Sequence, residues 1–308
     1  MIYDCAIIGG GPAGLNAALV LGRARRSVAL LDNNLPRNAV THASHGFLTR
    51  DGVAPAEFRR IAYDELLRYP SVGHFPLKVT HIRKLQNGFE ITTDKGETIQ
   101  ARKVLITTGL KEILPDIPGI KELYGKSLFH CPYCDGWELR DQSLIVVSEN
   151  PGVFHMAKLL YSWSRDLVIC TNGRSVLTDE QKQLLTSRNI IVSEQTVAAF
   201  LGNEGKLQQV EFTDCSRIDR TGGFVTPQWL PQAPFQDLGL KTTELGGIVT
   251  DGIGKSTISG LFAAGEAATG APSQLIVSAA AGSMAAVSIN TELMEEDWEC
   301  VILDDADI

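Results

Sequence analysis

Apolar residues in the first third of the chain come in short continuous runs, not in alternation. Residues 3–8 form one run and residues 27–31 a second, and between them Leu15, Ala18, Leu19 and Leu21 recur at helical spacing. An uninterrupted run of about four to eight apolar residues suits a strand buried on both faces, and a period near 3.6 marks a helix packed on it. Further runs follow at 103–107, 144–147, 167–170 and 260–264, with helical stretches from near Val153 and from about 274 to 290. Strands alternating with helices predict an α/β fold with parallel sheets. A length of 308 residues suits two such domains, each Rossmann-like and three-layered.

The turn after the first run sharpens this. Gly9, Gly10, Gly11, Pro12, Ala13 and Gly14 spell G-x-G-x-x-G between a strand and a helix, and Asp32 ends the second strand. Gly9 permits the tight turn, Gly11 leaves room for a pyrophosphate, and Gly14 lets the helix approach the strand. Pro12 and Ala13 open the helix, whose free N–H groups meet phosphate charge. Asp32 can accept from the adenosine ribose hydroxyls. The run at 103–107 ends in Thr107, Thr108 and Gly109, and the run from Gly260 ends in Gly265 and Glu266. These two segments favour FAD over NAD in this first site. Val79 joins the candidate contacts.

Composition excludes some classes. The chain is 44% hydrophobic and 21% charged, as soluble globular proteins are. Its net charge of -8 equals the eight acids of the last stretch, from Glu292 to Asp307, so the body is neutral and offers nucleic acid no electrostatic support. That tail reads as a solvated terminus or, with Trp298, as a docking segment over a flavin or a neighbouring subunit. No run reaches the roughly 18 apolar residues of a membrane span, and no signal peptide is visible, so no membrane association and a cytoplasmic location are expected.

Of six cysteines, only Cys131 and Cys134 are closely spaced, in C-P-Y-C-D-G. In a reducing compartment a lone CxxC points to redox chemistry or to metal. A zinc site needs two more ligands, and neither a second CxxC nor a His-x-x-x-His pair exists, so no metal is expected. Cys5 and Cys170 lie in apolar strands, Cys215 in a strand or turn, and Cys300 in the tail, where it reads as idle.

The order G-x-G-x-x-G, acid, T-T-G, C-x-x-C-D-G, then A-A-G-E before a helix resembles the low-molecular-weight thioredoxin reductase family along essentially the whole chain. The resemblance implies a discontinuous FAD domain at 1–118 and 247–308, and an inserted NADPH-type module at 119–246 that carries the cysteines. It implies that Cys134 lies nearer the flavin, that Cys131 is the interchange thiol, and that Asp135 is the acid–base group. His130, before the pair, either adds to this or is simply solvent-exposed. Glu266 stands where the family usually has Asp, and Ser273-Gln274 where it has Arg-Gln. Gln274 is expected at the flavin's pyrimidine end. The loop from Pro36 to Phe47 resembles a branch with fungal dithiol oxidases, which makes Asn38 and His45 candidates near the flavin; a locally satisfied loop histidine is the other reading of His45.

The second dinucleotide motif is degenerate. Its glycine positions fall on Ser148, Asn150 and Val153, Glu149 adds a negative charge, and only Arg174 follows the second strand where a basic pair is expected. The expected function is therefore thiol–disulfide exchange between flavin, the Cys131–Cys134 disulfide and a small dithiol/disulfide or thioredoxin-like partner, without NADPH. The alternatives are an NADPH- or ferredoxin-dependent thioredoxin reductase and an oxygen-dependent dithiol oxidase. The chain also resembles cyanobacterial two-flavin relatives, which implies a second FAD in the degenerate site, with Phe154, Tyr161 and Trp163 as stacking surfaces or as ordinary packing. A homodimer is implied by resemblance alone.

Overall fold

The computed structural model describes residues 1–232 and 238–304, with only the backbone for 300–304. The chain forms two compact units: Met1–Arg37, Ala56–Lys111 and Trp229–Ile308 make unit 1, and Asn38–Pro55 and Glu112–Gln228 make unit 2.

Unit 1 is built on a seven-stranded sheet of β1 (Ile2–Ile8), β2 (Val28–Leu31), β3 (Val72–Phe75), β4 (Val79–Leu85), β5 (Gly88–Thr93), β6 (Thr98–Ile106) and β17 (Leu261–Ala263). Its order is β3-β2-β1-β6-β5-β4, with β17 also on β6; β4 and β5 are antiparallel to their neighbours. Alternate residues of β1 and β2 feed two cores. Cys5, Ile7, Val28 and Leu30 face one, and Ala6, Ile8, Ala29 and Leu31 the other. The runs are continuous because both faces are covered. Ile8 pairs with both Leu31 and Ile106, and Ile106 with Ala263. Gly9, Asp32, Thr107 and Ala264 therefore leave the sheet along one carboxyl edge, where such sheets bind ligands.

The helices of unit 1 are α1 (Pro12–Arg23), α2 (Pro55–Leu66), α7 (Glu266–Thr269) and α8 (Leu275–Asp304). Ala13, Ala17 and Leu21 share a core with Ala285, Ala286, Ile289 and Leu293. A Cβ at Gly282 would lie 2.0 Å from Ala13 O, so α1 and α8 touch nearly backbone to backbone. Helix α8 runs well past the expected end at 290, and Glu292, Glu296 and Asp297 are held in ion pairs although residues 294–299 stay exposed; Asp305 and Asp307 lie outside the described residues. Lys103 Nζ lies 2.7 Å from Glu292 and 2.5 Å from Glu296, and Arg102 and Arg26 hold Asp297 at 2.7 and 2.6 Å. Cations on the sheet side draw the acids in. Trp298 is exposed, and the side chain of Cys300 lies outside the described residues. Against expectation, α8 is long and apolar enough over Leu275–Glu299 to cross a membrane by length and composition. Its core residues and ion pairs account for it as a packed helix.

Unit 2 has a parallel sheet, order β11-β10-β9-β15-β8, of β8 (Leu128–Phe129), β9 (Leu144–Val147), β10 (Leu167–Cys170), β11 (Ile191–Ser193) and β15 (Gly222–Val225). Its helices are α3 (Ile120–Leu123), α4 (Pro132–Asp135), α5 (Val153–Leu160) and α6 (Asp179–Thr186), and β12 (Val197–Asn203), β13 (Lys206–Phe212) and β14 (Arg217–Asp219) form an antiparallel sheet. Short strands β7 (Leu110–Ile113) and β16 (Gln228–Pro231) pair where the chain passes between units.

The boundaries differ from 118/119 and 246/247. Residues 112–118 belong with unit 2, because Pro118 O accepts from Phe200 N and Ile117 enters its core. Residues beyond 228 belong with unit 1, because Thr108 donates to Gln232 O at 2.7 Å and Leu238 and Leu240 pack on its core. Residues 38–55 join unit 2, not the first unit.

Candidate functional site

The glycine turn has the geometry its motif requires. Gly9 sits at φ +110°, and a Cβ there would approach Thr107 O to 2.4 Å. A Cβ at Gly14 would lie 1.9 Å from Gly9 O, so only glycine lets α1 meet β1 here. A Cβ at Gly11 would meet nothing within 4 Å. No neighbour in the protein forbids a side chain at Gly11; the open side of the turn is room for a ligand's phosphates. On these observations the cradle fits a dinucleotide. Pro12 and Ala13 are the first residues of α1.

Asp32 is buried and takes three hydrogen bonds. Gly10 N donates to Oδ1 at 3.1 Å, and Arg59 and Tyr63 donate to Oδ2 at 2.6 and 2.9 Å. Burial alone would raise its pKa, but the Arg59 hydrogen bond and charge, helped by Tyr63 and Gly10, hold the carboxyl below the usual range. A carboxylate offers about four acceptor positions, so one on Oδ1 remains for a ribose hydroxyl. Arg59 also donates to Gly10 O and to Asn34. Sequence reasoning missed Arg59 and Tyr63. Their i, i+4 spacing on α2 was the available signal.

Along the same edge, Glu266 accepts from Arg37 at 2.6 Å and from Ser273 N at 2.8 Å, and Gly109 has φ +66° with a Cβ position 3.6 Å from Glu266 Oε2. Gly265, at φ +64°, caps α7. Gln274 precedes α8, its carbonyl accepting from Ser278 N. Val79 starts β4 opposite Thr93, with its side chain in the core. Asn38 and His45 fall in unit 2, apart from the unit of the glycine turn. Asn38 donates to Ser44 at 3.4 Å, and His45 lies 3.5 Å from Glu138 and 3.6 Å from Asp51.

Cys131 and Cys134 are joined as a disulfide, with Cα atoms 5.3 Å apart across the single turn of α4. Pro132 starts that turn, and the Cys131 carbonyl accepts from both Cys134 N and Asp135 N at 3.1 Å. Cys131 is the N-cap residue of α4, and Cys134 lies in its first turn. Asp135 is 8% exposed. Burial, with the Glu138 charge adding, pushes its carboxyl up to about 7. A Cβ at Gly136 would lie 2.4 Å from Pro132 O and 3.0 Å from Trp163, so glycine lets the chain leave α4 over the indole. Tyr133 meets Trp163 edge-on at 5.8 Å. Cys5 and Cys170 are buried thiols raised by desolvation, Cys170 to about 11, and Cys215 is exposed in a turn. Among the described residues no cluster of His, Cys, Asp and Glu could hold a metal.

In unit 2 the turn between β9 and α5 is closed by its own side chains. Asn150 Oδ1 accepts from Gly152 N at 2.9 Å, and Ser148 is buried. Glu149 accepts from Asn172 at 2.6 Å and from Arg174 at 3.3 Å. The one arginine after β10 is thus paired with a carboxylate of the chain itself. Phe154, Tyr161 and Trp163 pack on the local core, with Lys158 over Phe154 and Arg165 over Tyr161.

A flavin-type dinucleotide cradle and a redox-capable CxxC on one chain define a flavin-dependent disulfide oxidoreductase. The chain belongs to the pyridine nucleotide-disulphide oxidoreductase family, whose model matches residues 3–282. It is thioredoxin reductase-like, and the family implies FAD. A probable thioredoxin reductase of Arthroderma benhamiae is 31% identical over 97% of this chain and 82% of that protein. The structure of a putative thioredoxin reductase TrxB from Bacillus anthracis is 46% identical, with TM-score 0.92 over 96% of this chain and 99% of that one. The crystal structure of HlmI is 35% identical, with TM-score 0.92 over 99% of this chain and 96% of that one.

Proposed function

We propose that this enzyme exchanges electrons between FAD and a dithiol/disulfide or thioredoxin-like partner through Cys131 and Cys134, and that NADPH is not its donor. Gly9, Gly11, Pro12, Ala13, Gly14 and Asp32 would hold the adenosine and pyrophosphate, and Thr108, Gly109, Gly265, Glu266 and Gln274 the rest of FAD. Bound FAD would supply the two-electron couple. Cys131 attacks or receives the partner's sulfur, and Cys134 closes or opens the internal disulfide. Asp135, with its carboxyl at about 7, takes and returns the thiol proton at neutral pH. The closed pair with that carboxyl next in sequence carries the exchange reading.

The Glu149–Arg174 pair supports the second half. A phosphate entering there would meet a carboxylate already bound to the one available guanidinium. Ferredoxin, dioxygen and NADPH are the competing redox partners, in an atypical branch. A second flavin is the weaker reading, because its stacking candidates are engaged by Lys158, Arg165 and the core. Unpaired Cys5, Cys170 and Cys215 agree with a cytoplasm-like reducing compartment. A homodimer through α8 completes the reading, since Val277, Met284, Val287, Met294 and Trp298 line one exposed seam.

An anaerobic titration followed by flavin absorbance tests this. Dithiothreitol should bleach the flavin and stoichiometric NADPH should not. Full bleaching by NADPH would overturn the donor assignment. No response to dithiol would overturn the disulfide assignment.

A further inference from the structure

Arg37 is the last residue of the first segment of unit 1 and lies outside both the glycine and the cysteine motifs. Its Nη2 donates to Glu266 Oε1 at 2.6 Å, and its guanidinium stands 5.0 Å from the centre of the Trp229 ring. Ser273 N donates to the same Oε1 at 2.8 Å. Oε2 lies beside the turn at Gly109, 3.6 Å from where a Cβ would stand there. That turn is tied to the Trp229 segment: Thr108 donates to Gln232 O at 2.7 Å, and Gln232 N to Gly109 O at 3.4 Å. Four segments of unit 1 thus close around one carboxylate. The Glu266 side chain is 10% exposed and that of Arg37 23%, so salt screens the pair only weakly. The arrangement repeats the one at Asp32, where Arg59 takes Oδ2 and an acceptor position remains on Oδ1. At each acid of this edge, an arginine from outside the sheet holds one oxygen and leaves the other to a ligand.

We infer that Arg37, backed by Trp229, is a positioning residue of the FAD site: by holding Glu266 Oε1 it presents Oε2 to a hydroxyl of the ribityl chain. This rests on the assignment of Glu266 to the FAD cradle. A carboxylate accepts hydrogen bonds and cannot donate them, so its natural partners on FAD are hydroxyls, not phosphates. FAD also brings phosphate charge to this edge, which a bare carboxylate would oppose. Arg37 offsets that charge without taking the second oxygen. The stacking on Trp229 fixes the plane of the guanidinium, and with it the oxygen that it holds. Arg59 and Asp32 then serve the adenosine end of the cofactor, and Arg37 and Glu266 its flavin end. The ribityl hydroxyls are what FAD has and ADP lacks, so Arg37 contributes to selection of the flavin half.

The test dilutes the full-length FAD-loaded protein in steps and reads released FAD by its fluorescence, which gives the FAD dissociation constant. ADP, which has the adenosine and both phosphates but no ribityl chain, is then titrated in, and its displacement of FAD gives the constant for ADP. Arg37→Met should weaken FAD roughly ten-fold, the scale of one charge-assisted hydrogen bond, and leave ADP unchanged. Arg59→Met is the contrast and should weaken both. In a Glu266→Gln background, Arg37→Met should cost much less, because the two residues act as a pair. An FAD constant unchanged by Arg37→Met, equal losses of FAD and ADP, or an undiminished loss in the Glu266→Gln background would each overturn the inference. Should Arg37→Met not fold, Glu266→Asp decides. It keeps the charge, draws the carboxylate back from Arg37 by one methylene, and should weaken FAD while sparing ADP; an unchanged FAD constant would overturn the inference. If Glu266→Gln weakens FAD while Arg37→Met does not, only this inference fails. If Glu266→Gln binds FAD as the wild type does, the cradle assignment of Glu266 fails with it.

Discussion

At the scale of residues, motifs written contiguously were legible and their supports were not. Gly9, Gly11, Gly14 and the Cys131–Cys134–Asp135 run announce themselves because backbone and thiol chemistry need those residues at fixed spacing. Arg59 and Tyr63 come from α2, distant in sequence from the glycine turn; their i, i+4 spacing groups them on one helix face, and only the fold brings that face to Asp32. Asp135 carries a prediction with a definite sign. Its folded pKa, about 7, lies above the ordinary value of 3.8. Stability contributed by the neutral acid is therefore full below 3.8 and is lost as pH rises through about 7. Asp135→Asn should gain Tm relative to wild type by more at pH 8 than at pH 5. The same variant should lose roughly a hundred-fold or more in dithiol turnover, the scale of an acid–base group. Equal Tm differences at the two pH values would contradict the buried acid. Arg59→Met should leave the sheet intact but release Asp32 and Gly10, weakening FAD about ten-fold or more by equilibrium titration of the apoprotein. A guanidinium hydrogen bond to a carboxylate is worth about 1.5–3 kcal/mol.

At the scale of elements, β9 and β10 match their expected limits, because short apolar runs bounded by polar turns leave little room to slip. Helix α8 shows why other limits failed. Its acids from Glu292 to Asp297 looked like a solvated tail, since acids without nearby bases repel one another. The bases that answer them are Arg26, Arg102 and Lys103, far away in sequence and beside the helix in space. Lys103 has a side chain only 4% exposed. Removing both its partners, by Glu292→Gln with Glu296→Gln, strands a buried cation. Loss of one side of such a pair costs about 3–5 kcal/mol, and thermal melts should fall accordingly. A melt unchanged within a degree or so would show the acids to be surface decoration.

At the scale of the whole molecule, two α/β units were legible from the repeated strand–helix rhythm. Their limits were not, because hydrogen bonds such as Phe200 N to Pro118 O assign linker residues without a sequence signature. The proposed homodimer rests on a pattern that depends on the length of α8. Val277, Met284, Val287, Met294 and Trp298, between 45 and 74% exposed, fall with Ala280 and Thr291 at alternating spacings of three and four. That is the a/d seam of helices that pair. Inward residues of α8 are committed to α1, so the seam is surplus to the fold of unit 1. Charge sets the direction. The described acids of α8 lie in its C-terminal half, and it has no Lys or Arg. Parallel pairing would stack acid on acid, whereas an antiparallel two-fold pair sets each acidic end against a neutral N-terminal half. Val287→Glu with Met294→Glu places charge in the centre of that seam and nowhere in the FAD cradle. Light scattering should give the wild type twice the chain mass and the variant the chain mass, with flavin retained. The wild-type Tm should also rise with protein concentration, because association stabilises the fold by mass action. A wild type that runs as a monomer at micromolar concentration, or a double variant that keeps the dimer mass, would take α8 out of the assembly.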